Sequence, residues 1–367
     1  MHSMKQLLDW IPDWYEPSES AVTHRQLLLE GLSDHDRERG NTAIHESRLA
    51  RDHIIGRFAS PYESIFDLEM SVSLAMTLER LLNRAKVYVA NGSRTKRLIW
   101  SQAISLFDLA VGQMFLDRME SLQSASSDLE GLLAILEDGL FDGSFHDATV
   151  RGWYDPVDSY RAREAMIEDG PIPRGSFVMQ EHSFLFRRLT TGEPVHLSHR
   201  VKLPFMTLLK IMRQLRRKKD DAYTVRDRRA VRLVVADETV ARQVASRVQD
   251  LIHRAGGTCV LEGENLVGGV SVDQENANSH ERFRAIKMLL HLHQKPFELQ
   301  VLPMRDHLNC TYGGGDENHR LYRLRQMLRE YFPRLLPWRF YRVPWRLPHV
   351  ESRCRASLLS QLGWFYR

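Results

Sequence analysis

The sequence predicts an α/β protein: a mixed β-sheet of about five strands flanked by helices and preceded by an all-α bundle. Three observations carry that expectation. Between residues 60 and 140 apolar residues recur at helical spacing, with capping residues at the breaks. Arg228-Arg-Ala-Val-Arg-Leu-Val-Val235 is a β-branched run of strand length, and Pro296-Phe-Glu-Leu-Gln-Val-Leu302 is a second. A helical pattern from about Glu238 to Ala255 lies between them, and strands alternating with helices build α/β sheets.

A chain of 367 residues is long enough for two or three domains, and 43% apolar content supports sizeable cores. No run of eighteen apolar residues occurs, and the first ten residues lack a signal-peptide core. A soluble, cytoplasmic protein without a membrane span is therefore expected. Cys259, Cys310 and Cys354 form neither a zinc pattern nor a disulfide framework, which suits a reducing compartment. Charge is uneven. Residues 1–150 carry 14 Lys and Arg against 23 Asp and Glu, and the remainder carries 37 against 24. The two halves can attract one another, or the basic half can face phosphates.

Residues 1–150 are expected to form the bundle. Trp10-Ile-Pro-Asp-Trp14 opens an irregular arm, and the helical spacing from Ser20 to about Arg57 is interrupted, with Ser33 a candidate N-cap. Ser60-Pro-Tyr-Glu63 supplies a cap, a first-turn Pro and a Glu three residues on, so a helix is expected from there to about Ala90, ended by Asn91-Gly92. Ser93 starts the next helix, to about Leu122, and an acidic helix spans about 127–140, stopping near Gly143. The pairs His35-Asp36 and His146-Asp147 sit in loop or capping sequence without metal-ligand spacing, so ordinary histidines are the simpler reading.

Residues 151–198 read as a turn-rich connector, with Asp169-Gly-Pro-Ile-Pro-Arg-Gly175 its clearest turn segment. Residues 199–330 then hold the sheet. A helix ends in Arg213-Gln-Leu-Arg-Arg-Lys-Lys219, the Asp227 strand follows, and further strands are expected near 258–261, 284–291 and 296–302 before a long helix from about Glu317. Along the last strand Phe297, Leu299 and Val301 share one face, while Glu298 and Gln300 share the other. If the two strands are neighbours, Asp227 and Glu298 converge, and paired carboxylates approached by Arg and Lys suit a magnesium-nucleotide site.

Residues 199–323 resemble the synthetase domain of the RelA/SpoT family of alarmone synthetases, which has a nucleotidyltransferase-like fold. Arg200, Lys202 and Lys210 fall at the spacing of the family's Gly-Arg-x-Lys and following Lys, with His199 in the Gly place. Asp227-Arg-Arg-Ala-Val-Arg232 is similar to its Asp-x-Arg-Ala-Val-Arg run. Glu298-Leu-Gln300 is similar to Glu-Ile-Gln, His307 stands nine residues after that Glu, and His319-Arg-Leu-Tyr-Arg323 resembles the closing motif. The resemblance implies transfer of pyrophosphate from ATP to the 3′-hydroxyl of GDP or GTP. It assigns Asp227 and Glu298 to Mg²⁺ and catalysis, and Arg200, Lys202, Lys210 and Arg229 to ATP phosphates. Phe283, Lys287 and Gln300 fall to the acceptor.

The departures lie on the acceptor side, where Asn276-Ala-Asn-Ser-His-Glu-Arg-Phe283 replaces the family's Lys-Pro-Asn-Gly-Tyr and Leu302 replaces an Arg. Pyrophosphate transfer to a tRNA 3′ end, with tRNA or the ribosome as partner, is the alternative enzyme reading, and an inactive nucleotide- or RNA-binding module is the third. Residues 331–367 form an aromatic and basic tail, either a single-strand RNA contact or an anchor laid on the domain. Its prolines favour the anchor.

Overall fold

The computed structural model describes residues 9–67, 76–89, 93–167, 173–216, 225–264 and 282–363. The first helices are α1 (Glu19–Glu30), α2 (Asp34–Phe58), α3 (Glu63–Asp67), α4 (Leu78–Tyr88), α5 (Arg94–Met119) and α6 (Leu122–Leu140). Four strands follow: β1 (Phe141–Asp155), β2 (Arg161–Met166), β3 (Val178–Leu189) and β4 (Pro194–Val201). Then come α7 (Pro204–Arg216), β5 (Arg229–Val235), α8 (Glu238–Arg254), β6 (Thr258–Glu264), β7 (Ile286–Leu292) and β8 (Lys295–Pro303). The chain finishes with α9 (Met304–Thr311), α10 (His319–Gln326), α11 (Phe332–Leu335), α12 (Trp338–Tyr341) and α13 (Pro348–Ser360). It divides into two compact units. One holds residues 1–122, 203–225 and 326–358, and the other 123–202, 226–325 and 359–367. This differs from the sequence boundaries. Helix α6 and strand β1 join the sheet, while α7 and residues 331–358 of the tail join the helical unit.

The helical unit is centred on α5. Ser33 and Ser93 cap α2 and α5 as expected, accepting from the Asp36 and Lys96 amides. The helix expected from Ser60 is instead broken. A 3₁₀ turn, Ser60–Tyr62, lacks a side-chain cap, α3 is described as far as Asp67, and Thr77 caps a new helix, α4. Helix α5 is the one described helix long and apolar enough to cross a membrane, and 89% of its most apolar window is buried inside the protein. Its buried carboxylate, Asp108, is matched on every side. Arg25 donates from Nε (2.8 Å) and Nη2 (2.6 Å), and Trp14 donates from Nε1 (2.7 Å).

The tail packs as an anchor. Tyr331, Phe332, Phe340, Tyr341 and Trp345 are buried. Trp345 stacks on Phe66 and meets Tyr62 edge-on, and Arg51 donates to the Tyr341 hydroxyl at 2.7 Å. The long helix expected from Glu317 runs from His319 to Leu335, with a π turn at Met327–Tyr331 ahead of Pro333, which supplies no N–H to the ladder.

In the sheet unit, among the described residues, eight strands rather than about five form one sheet in the order β2-β1-β3-β4-β5-β8-β7-β6. Every described neighbouring pair is antiparallel except β5 and β8. The four strands placed from the sequence are β5 to β8. The other four, β1 to β4, come from residues 141–201, mostly the expected connector. Their exposed positions mix charge with apolar residues such as Phe145, Met179 and Leu185, which hides the alternation that marks a strand. His146 and Asp147 consequently lie inside β1, opposite Phe186 and Leu185, rather than in a cap. His35 and Asp36 do occupy the first turn of α2.

One sheet face is covered by α6 and α8. Val231, Leu233, Val235, Phe297, Leu299 and Val301 pack there with Leu132, Leu136, Val244 and Val248. Each such side chain contributes about 1.5–3 kcal/mol on burial. Gly139 lets α6 approach α8, since a Cβ there would land on Leu251. Gly256 (φ +76°) turns the chain from α8 into β6. Helix α9 lies on the other face, where Leu308, Met304, Leu302, Val234, Phe184 and Phe186 form a second core.

Asn91-Gly92, residues 168–172 of the connector, residues 217–219 of the basic run and residues 276–281 of the acceptor segment lie outside the described residues. Replacing Asp108 by Ala strands the buried Arg25 guanidinium, so Asp108→Ala is expected to cost about 3–5 kcal/mol. Urea unfolding followed by tryptophan fluorescence measures this, and an effect below about 1 kcal/mol would contradict the network described.

Candidate functional site

The polar face of β4, β5, β8 and β7 is set by register. Arg200 stands opposite Ala230, and Ala230 opposite Glu298. On the next rung Ser198, Arg232, Gln300 and Lys287 lie side by side. Register partners share a face, so Arg200, Arg232, Glu298, Gln300 and Lys287 gather on the side opposite the α6–α8 core. Arg200 is exposed and the other four are half-buried.

At the mouth of this face, Lys202 extends the ladder, its amide donating to the Arg228 carbonyl at 2.7 Å. Its ammonium pairs with Asp227 Oδ2 at 2.5 Å, and the two side chains are 6% and 16% exposed. The cation expected at phosphate and the carboxylate expected at magnesium are thus ion-pair partners. Asp227 lies in the turn that leads into β5, three residues before Ala230, whose rung holds Glu298. The two carboxylates therefore do not share a rung of the sheet.

Further along, Arg232 donates from Nε (3.2 Å) and Nη2 (2.9 Å) to Gln300 Oε1, and Gln300 Nε2 donates to Glu298 Oε1. Lys287 holds its ammonium over the Phe283 ring, 5.3 Å from the centroid. Phe283 itself packs against the second core. One face of the ring expected to stack a base is covered by a cation of the same chain.

One expected site residue lies on the opposite face of the sheet. Arg229 is on the apolar face, where alternation puts it with Val231 and Leu233. It is 2% exposed, donates to Asp128 Oδ2 at 2.5 Å and lies over Phe297. That corrects its assignment to phosphate: it ties α6 to the sheet. Lys210 sits on α7, in the helical unit.

Histidines not foreseen as a group line the sheet beneath α9. His307 is 7% exposed, meets Phe184 edge-on and lies 5.9 Å from the His196 ring, with Nδ1 buried and unpaired. His182 stacks on Tyr312 and shares a 2.8 Å hydrogen bond with Tyr154. His196 and His182 carry no motif, and only the strand registers bring them beside His307.

Magnesium takes one or two carboxylates and completes its shell with water and substrate phosphate. Among the described residues no group of three His, Cys, Asp or Glu could make an all-protein site.

Two stability tests separate structure from chemistry here. Arg229→Met and Asp128→Asn are each expected to cost about 2 kcal/mol, the scale of a charge-assisted hydrogen bond, and the double variant little more than either alone. Additive losses in urea titrations would dissociate the pair. Burial first, then Arg232, His196 and His182, push the His307 imidazole from 6.5 down to about 3. Unfolded chains take up this proton below 6.5 and the folded protein only below about 3, so stability is full above 6.5 and falls with acidification. Going from about pH 7 to about pH 5 is expected to cost about 2 kcal/mol through this residue. His307→Met should flatten that slope, and an unchanged slope would assign it to other groups.

No family model matches the chain, and no curated protein or solved structure matches it either, so a function must be read from the β4–β8 face itself.

Proposed function

We propose that this chain is an ATP-dependent pyrophosphokinase, with β4–β8 a nucleotidyltransferase-like sheet and the 3′-hydroxyl of a guanine nucleotide as acceptor. The observation that carries the reading is the parallel pairing of β5 and β8. It sets Glu298 one strand away from the Asp227 end of β5 and lines the same face with Arg200, Arg232 and Lys287.

In this reading Glu298 takes the proton of the attacking hydroxyl, a task that asks for a carboxylate within hydrogen-bond reach of the acceptor. Arg200 and Lys287 offset the negative charge of the phosphates, which is most of what phosphoryl-type transfer requires of a protein. Asp227 would hold magnesium, and Lys202, just after β4, orients Asp227. The bound ion would draw charge from the donor phosphates as the bond to the leaving group breaks. Lys287 and Phe283, which lie against each other, would receive the acceptor's phosphate and base. The basic excess after residue 150 favours an RNA 3′ end as the second acceptor to test.

Incubation with γ-labelled ATP, magnesium and GDP, GTP, ADP, ATP or tRNA, followed by chromatography, tests the reading. A labelled guanine nucleotide is the expected product. Labelled tRNA would move the acceptor to RNA, and ATP binding without transfer would leave a binding module. Glu298→Gln is expected to lower transfer by about 10²–10⁴-fold, the usual contribution of a positioned acid–base group. Asp227→Asn should abolish transfer as well. Glu298→Gln should unfold at wild-type temperature, while Asp227→Asn, which leaves the Lys202 ammonium without its carboxylate, should unfold lower yet remain folded at assay temperature, and wild-type activity in either would remove that residue from the site.

A further inference from the structure

Arg232, Gln300 and Glu298 form a chain whose direction is fixed by chemistry. A guanidinium has donors and no acceptor, so the Gln300 oxygen must face it, which it does through two hydrogen bonds, 3.2 and 2.9 Å. The amide nitrogen is thereby turned towards Glu298, where it donates to Oε1. Which end of an amide is oxygen is commonly ambiguous. Here one neighbour only donates and the other, when ionised, only accepts, so a single orientation satisfies both. The backbone supports it, because Gln300 stands opposite Arg232 on the adjacent parallel strand and two residues from Glu298 on the same strand face.

We infer that Arg232 and Gln300 are positioning residues for the Glu298 carboxylate. They hold Oε1 and leave Oε2 as the oxygen that meets an acceptor hydroxyl. This goes beyond the assignment of Gln300 to acceptor binding, since both ends of its amide are already committed within the chain. The inference rests on reading Glu298 as the working carboxylate. Loss of the relay frees the Glu298 rotamers without removing any group that contacts phosphate. The cost therefore falls on the chemical step, not on nucleotide binding.

Two measurements test it, one independent of activity. In ¹H–¹⁵N spectra the side-chain amide of Gln300 is assigned by its absence in Gln300→Met. Its signals are expected to shift in both Arg232→Met and Glu298→Ala, and signals coincident with wild type in both variants would overturn the relay. In the transfer assay Gln300→Met is expected to lower kcat about 10–100-fold while the nucleotide KM changes less than about 3-fold. Gln300→Glu keeps the Arg232 contact but sets two carboxylates together, and a proton between them restores a donor towards Glu298. Its deficit should therefore narrow as the pH is lowered from about 8 to about 6. A Gln300→Met effect confined to KM, or a Gln300→Glu deficit independent of pH, would return Gln300 to substrate binding. If the wild-type protein transfers no label, the pyrophosphokinase reading fails and the amide spectra alone judge the relay.

Discussion

The parallel pairing of β5 with β8 is the constraint on which the sheet unit depends. It is the single parallel contact among the described strands, and a parallel pair cannot be closed by a hairpin. The chain must cross over, and it does so through α8, whose apolar stripe then covers one face. That coverage decides which side of β5 and β8 stays polar. A slip of one residue would bury Glu298 and Gln300 beneath α8 and expose Leu299 and Val301. The same hydrophobic contacts that stabilise the sheet therefore also specify where its charges stand.

Much of this was legible in the residues. β5 and β8 announce themselves because both faces of a central strand are apolar or regularly alternating, and α8 because its cap, Asp237, and its terminating Gly256 sit at its ends. Strands β1 to β3 are concealed by the opposite circumstance. An antiparallel strand with one face on a core normally alternates, but here the exposed positions carry Phe145, Met179 and Leu185 among the charges, so the alternation is blurred in the text. The break of the Ser60 helix goes unannounced because a Ser-Pro-x-Glu signature specifies a helix start without specifying its length.

The candidate site was legible unevenly. The alternation that put Glu298 and Gln300 on one face also put Arg229 with Val231 and Leu233, and there the local pattern was a better guide than similarity of motif. The Lys202–Asp227 pair depends on two segments meeting at a strand mouth, and the histidine cluster on two strands, β3 and β4, meeting helix α9. Such meetings belong to tertiary structure, and single-chain text records them only as isolated polar letters.

The helical unit draws on three separated stretches of chain, with the segments of the sheet unit lying between them in sequence. During synthesis, then, the early helices wait. Trp345 and Tyr341, which close their aromatic core against Phe66, leave the ribosome only after every described strand of the sheet has emerged. Until that moment Phe66 and its neighbours present unclosed apolar surface, the kind that chaperones bind and that drives misassembly. The order in which the polypeptide is made thus leaves its longest exposure not to the part that forms last in sequence, but to the part that begins first.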